Sequence, residues 1–235
     1  MAGSAPLLVA LCAAMIGACA QPQAPALPAA PAAQAPPTVS PAAPAQQRPA
    51  GPRVSAISQA DLGDSWRPGC PVAAEDLRLV ELDFLGFDGR LQRGALVVHR
   101  DLTDEVAAVF GELLELRYPI ERMQTVEVYP GAEDELSMRD NNTSAFNCRP
   151  LPGGSGWSRH AYGRAVDVNP LINPYIDSAG NLEPATAGDY LDRRRDDPGI
   201  LRADSPAVRV FTDRGWRWGG AWRSPIDYQH FEFDS

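Results

Sequence analysis

The chain has 235 residues, with 21 basic and 30 acidic side chains and a formal net charge of −9, enough length for one well-filled domain. Every basic residue is an arginine. An acidic chain without a basic block lacks the positive face that phosphates demand, which argues against a nucleic-acid partner.

Residues 5–18 form an apolar run of signal-peptide length, too short to span a bilayer as a permanent helix. The run ends in Ile16-Gly17-Ala18-Cys19, which resembles a bacterial lipobox: cleavage precedes Cys19, which then carries lipid. The segment ahead of the apolar run has no Lys or Arg, and the alternative is a plain secretory peptide cut near Ala18 or Ala20. From Ala20 to about Ser58 the sequence is Pro, Ala and Gln with almost no charge. Such a segment cannot build a core and favours extended backbone. It would span roughly 35 Å as a flexible coil and about 120 Å fully extended. The expected plan is a lipoprotein-type signal peptide over 1–18, a disordered tether over 19–58 and a folded domain over 59–235. The protein is then exported to the bacterial cell envelope, on its periplasmic or cell-surface face, and touches the membrane only through the lipid.

Cysteine usage fits that compartment. Cys12 leaves with the leader and Cys19 is the lipid site, so Cys70 and Cys148 remain. They are expected to form a disulfide that stabilises the domain without touching a metal.

Within the domain, Leu77–Phe84 alternates as a strand, Asp88-Gly89 signals a hairpin, and Leu91–His99 returns. Asp101 or Thr103 can cap the helix that follows. Its apolar stripe is Leu102, Val106, Val109, Phe110, Leu113 and Leu116, and Pro119 stops it. Met123–Tyr129 reads as a strand, residues 140–157 as loop, and Ala165–Val168 as a short strand. The polar stretch 171–204 reads as a surface excursion, with Asp192–Asp197 a solvated, charge-balanced face. A helix over Pro206–Arg214 precedes two final strands, Trp216–Gly219 and Tyr228–Phe233, with Trp216, Trp218 and Trp222 in the core or one of them lining a groove. Strands predominate and no βαβ repeat is visible, which predicts an α+β domain: an antiparallel sheet with a few flanking helices.

The chain has three histidines, and two of them stand near carboxylates. A metal site that cuts a bond needs three protein ligands and one open position. His160, Asp167 and His230 form a candidate ligand set, with Asp227 as a base. Spacing leaves their convergence open. On a continuous strand His160 and Asp167 would fall on opposite faces unless Tyr162-Gly163 turns the chain. Asp227 likewise has to lie before the last strand or at a bulge. His99 has no such company and reads as structural.

Ser158-x-His160-x-x-Gly163-x-Ala165-x-Asp167 resembles the signature of the zinc D-alanyl-D-alanine carboxypeptidase family, which includes D,D-dipeptidases and phage L-alanyl-D-glutamate endolysins. Gly215-Trp-Arg-Trp218-Gly-Gly-Ala-Trp222, followed by Asp227-Tyr-Gln-His230-Phe-Glu, resembles the closing motif of the endolysin-like branch. Asn142–Arg149 and Ile172–Tyr175 are similar to segments of that branch. The resemblance implies a zinc D,D-peptidase (hedgehog-like) fold, one Zn²⁺ per chain, and His160, Asp167 and His230 as its ligands. It implies Asp227 as the catalytic carboxylate and Arg149 as the arginine that steadies the scissile carbonyl, with Arg139 as the alternative. Ser158 would contact substrate or fix a turn. Ala221 stands where the branch usually has an acid. The expected function is hydrolysis of amide bonds in peptidoglycan stem peptides by a monomer, of D,D-carboxypeptidase or L-alanyl-D-glutamate endopeptidase type. The alternative is a non-catalytic peptidoglycan-binding lipoprotein on a peptidase fold.

Overall fold

A computed structural model describes residues 48–151 and 156–234. The expected leader, Cys19 and most of the proline-rich stretch lie outside the described residues. The ordered domain reaches back further than residue 59. Arg53–Ala56 (β1) pairs antiparallel with Leu77–Leu85 (β2), from Arg53 opposite Glu81 to Ala56 opposite Arg78. The ladder hydrogen bonds, with Arg53 beside Glu81 at 3.4 Å, hold a segment whose composition alone reads as tether. Ser58 then caps Gln59–Leu62 (α1) with a capping box: its Oγ accepts the Asp61 N–H at 3.2 Å while Asp61 Oδ2 accepts the Ser58 N–H at 3.1 Å.

β2 and Leu91–His99 (β3) form a long hairpin in register from Leu77 opposite His99 to Leu85 opposite Leu91. Alternation turns Val80, Leu82 and Phe84 to one face with Leu96 and Val98. Thr103–Glu115 (α2) covers that face with Val106, Val109, Phe110 and Leu113. Leu116 departs from the expected stripe and is 47% exposed. The helix closes one residue earlier, with Arg117 in the left-handed region and the Tyr118 N–H on the Leu113 carbonyl at 2.9 Å, so the side chain of Leu116 swings off the core. The opposite end of the hairpin turns Leu77 and Val97 into a second cluster with Leu62, Phe146 and the Cys70–Cys148 disulfide.

The strand expected over Met123–Tyr129 shrinks to Arg122–Met123 (β4), and Val126–Val128 is a 3-10 turn. Asn142 causes the break: its Oδ1 takes the Gln124 N–H at 2.8 Å and its Nδ2 donates to the Gln124 carbonyl at 2.9 Å, so no further ladder bond forms there. Asp134–Arg139 (α3) leads into Asn142–Thr143 (β5), which pairs parallel with β4. The expected loop over 140–157 is corrected in its first half. Residues 141–148 are buried, Ser144 exchanges both backbone hydrogen bonds with Asp167, and the Phe146 N–H bonds the Val97 carbonyl. Small polar residues here fill a ladder position between elements instead of lying on the surface.

Ala165–Asp167 (β6) belongs to the central sheet described below. The 171–204 stretch is more than a surface excursion. Tyr175–Ile176 (β7) and Leu182–Glu183 (β8) form a short hairpin, while Ile172, Asn173, Ile200 and Leu201 are buried. Arg193, inside the supposedly solvated run, donates to the carbonyls of Ile172, Tyr190 and Leu201 and to Asn173 Oδ1, and lies 4.3 Å over the Tyr228 ring. Its neighbours Arg194 and Arg195 are exposed. Pro206–Thr212 (α4), capped by Ser205, buries Val208 and Phe211. Arg217–Trp218 (β9), Ile226–Asp227 (β10) and His230–Glu232 (β11) close the chain. β11 lies between β6 and β9, antiparallel to both, and β10 joins the β7–β8 hairpin. Phe231 stacks on Phe211 with ring centroids 3.8 Å apart, and Trp216 and Trp218 are buried beside them. The domain is α+β, with antiparallel sheets and few helices. Among the described residues no helix is long and apolar enough to cross a membrane.

Candidate metal centre

β6 and β11 set the site by alternation. Val166 and Phe231 face the core, each 0% exposed, so Asp167, His230 and Glu232 face the other way. Asp167 and His230 are opposite each other in the register, as are Ala165 and Glu232.

His160 arrives from a 3-10 turn over Arg159–Tyr162. Ser158 caps it, its Oγ accepting the His160 N–H at 3.3 Å. Gly163 ends it at φ 64°, reversing the chain into β6. A Cβ on Gly163 would lie 2.6 Å from the His99 nitrogen, so both the backbone angle and the close approach to β3 demand glycine. That turn resolves the seven-residue spacing between His160 and Asp167.

Three donors converge. His160 Nε2 lies 3.0 Å from Asp167 Oδ2, His230 Nδ1 lies 3.0 Å from Asp167 Oδ1, and the two nitrogens are 3.1 Å apart. One ligand atom from each residue fits within a 4.8 Å span, and all three residues are buried. A tetrahedral ion with bonds of about 2.0–2.1 Å sets neighbouring donors about 3.3 Å apart, close to what is present. The outer nitrogens are also engaged. His160 Nδ1 donates to the Ala145 carbonyl, and His230 Nε2 faces Glu232 Oε2 at 3.3 Å. With the outer nitrogens so engaged, His160 Nε2 and His230 Nδ1 are the atoms that face the centre, as in metal-binding histidines, whose other ring nitrogen is held by a carbonyl or carboxylate. Two neutral imidazoles and a carboxylate suit zinc.

The electrostatics describe the same centre without an ion. Burial alone would raise the Asp167 carboxyl, but His160 and His230 overcome it and hold it well below the usual carboxylate range. Burial works to lower His230, yet its bonds to Asp167 and Glu232 push it up to about 10. Packed together, the donors share protons that a cation would displace.

Asp227 reaches the site from β10, opposite Tyr175 of β7. Gly219 lets the chain pass it: a Cβ there would lie 2.7 Å from the Asp227 carbonyl oxygen. Burial pushes the Asp227 carboxyl up to about 7, with His230 and Arg149 pulling against it. Its Oδ1 is buried without a hydrogen-bond partner among the described residues.

A cleft of about 280 Å³ opens over this centre, bordered by Arg149, Trp157, Tyr175, Glu183 and Trp222 as well as Asp227 and the three donor residues. That is the low end of small-ligand sites. Arg149 follows the disulfide-bonded Cys148, and its Nη2 pairs with Asp134 at 2.8 Å. Burial opposes its charge, but Asp134, Asp167, Asp227 and Glu183 outweigh that and raise its pKa. Arg139 is exposed at the end of α3 and does not border the cleft. Ser158 borders the cleft while capping its turn. Trp222 lies at the mouth with its ring 5.5 Å from that of His230, unlike the buried Trp216 and Trp218. His99 lies apart, its Nδ1 accepting the Asp101 N–H at 3.3 Å.

Four participants escaped the sequence reading. Glu232 was legible, because two residues past His230 on a strand means the same face. The Ala145 carbonyl, Asp134 and Glu183 come from distant segments and left no local signal.

Residues 152–233 match a family model described as D-alanyl-D-alanine carboxypeptidase. The match spans less than half of the chain but contains His160, Asp167, Asp227 and His230. It supports the resemblance to the zinc D-alanyl-D-alanine carboxypeptidase family, and it supports a peptidase. No curated protein and no solved structure matches the chain.

Proposed function

We propose that the domain is a zinc peptidase that hydrolyses amide bonds in peptidoglycan stem peptides, of D,D-carboxypeptidase or L-alanyl-D-glutamate endopeptidase type, on a hedgehog-like D,D-peptidase fold. One observation carries the reading: three buried ligand residues whose donor atoms converge, beside a carboxylate whose Oδ1 has no hydrogen-bond partner among the described residues. A binding module has no use for that carboxylate.

His160, Asp167 and His230 would hold the ion. Bound there, zinc supplies Lewis acidity toward a carbonyl oxygen and acidifies water toward neutrality. The remaining work belongs to side chains. Asp227, raised to about 7 by burial in the absence of an ion, accepts a proton from the attacking water and returns it to the leaving nitrogen. Arg149, fixed by Asp134, presents positive charge to the oxygen that becomes an oxyanion. Trp157 and Trp222 wall the cleft and limit water around the scissile bond.

We place this domain outside the cytoplasmic membrane, lipid-anchored at Cys19 and held at a distance by the proline-rich tether. The apolar leader supports that placement, and so does the Cys70–Cys148 disulfide, a bond at home in an oxidising compartment. Purified murein incubated with zinc-loaded and EDTA-treated protein tests the activity. New muropeptides from the zinc-loaded sample alone are expected, and their masses identify the bond. Unchanged muropeptides in both samples would favour the non-catalytic binding lipoprotein.

A further inference from the structure

Asp227, Tyr175 and Glu183 form one row across the small sheet of β10, β7 and β8. Asp227 is opposite Tyr175, and Tyr175 is opposite Glu183. Side chains in such a row share a face, and all three border the cleft. Two strand spacings put Glu183 about 10 Å from Asp227.

Two of the other three cleft carboxylates have cationic or imidazole partners, and the third is the proposed base, Asp227. Asp167 lies between His160 and His230, and Glu232 bonds His230 and Arg217. Arg149, whose charge pulls the Glu183 pKa down, pairs through its Nη2 with Asp134 at 2.8 Å. Glu183 itself makes no side-chain hydrogen bond or ion pair with another described residue. Burial raises its pKa, only partly offset by Arg149, and Asp134, Glu135 and Asp177 add to the negative field around it. A half-buried acid that faces a substrate cleft without a cation of its own is a binding group in waiting.

We propose that Glu183 is a specificity-determining residue that binds a primary ammonium on the substrate peptide, about 10 Å across the sheet from the base Asp227. The inference rests on the peptidase reading and narrows its substrate class. The uncharged Tyr175 between the two acids supplies a flat surface for the intervening atoms, so the row reads reacting bond, spacer and amine in order. That separation matches one long amine-bearing side chain on the residue preceding the cleaved pair, or a free chain end a few residues away.

Three synthetic peptides ending in D-alanyl-D-alanine test it with the zinc-loaded protein. The first is N-acetylated and carries lysine before the pair, the second has that lysine acetylated as well, and the third has norleucine there and a free α-amine. A KM for the lysine peptide roughly ten- to hundredfold below that of its acetylated twin, at similar kcat, is the expected result. Glu183→Gln should erase that difference by weakening the lysine peptide alone. If the third peptide is the favoured one, the ammonium is that of the chain end and Glu183 still reads it. Equal KM values for all three with the wild type would overturn the proposal. A Glu183→Gln loss of kcat on every peptide alike would overturn it too, by making Glu183 a support for Arg149. If no peptide turns over, the D,D-carboxypeptidase form of the peptidase reading fails, and calorimetric Kd values for the same three peptides decide the role of Glu183 independently.

Discussion

Asp167 and His230 are direct cross-strand partners, His230 Nδ1 lying 3.0 Å from Asp167 Oδ1 in the β6–β11 pair. Two candidate ligands therefore sit on paired strands, backed by Val166 and Phe231 in the core. The third, His160, depends on a single turn. Alanine at any of the three should abolish stoichiometric zinc, measured by elemental analysis of dialysed protein. Asp227→Ala should keep zinc and lower turnover by about 10²–10⁴-fold. Full activity in that variant would reject the assigned base.

Glu232 fixes the orientation of His230 through its Nε2. Glu232→Gln should preserve the fold and lower zinc affinity by about 10–100-fold, read by competition with a chromogenic chelator. An unchanged affinity would mean that strand geometry alone aims the ring.

The metal-free protein should show a specific pH dependence. His230 rises from 6.5 to about 10 on folding, so its contribution is complete below pH 6.5 and is lost as pH climbs through about 10. Asp227 rises from 3.8 to about 7, and its contribution also fades as pH rises through about 7. Asp167 is depressed, so its share is present above 3.8 and lost in acid. The EDTA-treated protein should thus lose thermal stability from pH 6 to 9. Stabilisation by added zinc should grow over the same range, because the ion displaces the His230 proton. Calorimetry near pH 7 in buffers of different ionisation enthalpy should record about one proton released per zinc.

Gly163→Ala combines a positive φ with a Cβ 2.6 Å from the His99 nitrogen. It should cost more than about 1 kcal/mol in urea unfolding and weaken zinc binding as His160 shifts. A Cys70→Ser variant should behave differently. Opening a link across 78 residues should cost about 2–5 kcal/mol while zinc content stays whole. Zinc loss in the folded Cys70→Ser protein would contradict a purely structural role for the disulfide.

Local pattern alone made much of this protein readable. The β2–β3 hairpin followed from alternation around Asp88-Gly89, and the stripe of α2 from helical spacing, because both signals arise within one element. The residue types at 160, 167, 227 and 230 also named a chemistry. Other segments were misread where distant groups overrode local pattern. Asn142 ended a strand begun at Met123, burial between β3 and β6 turned residues 141–148 from loop into ladder, and Arg193 drew part of 171–204 inward. Leu116 obeyed the stripe but fell beyond the helix end. Amino-acid order by itself determined the periodic elements and the inventory of metal-binding side chains. Only the tertiary structure decided that those side chains converge, that Arg149 and not Arg139 borders the cleft, and that Glu183 faces it, because convergence depends on register between strands far apart in sequence and on one left-handed turn at Gly163.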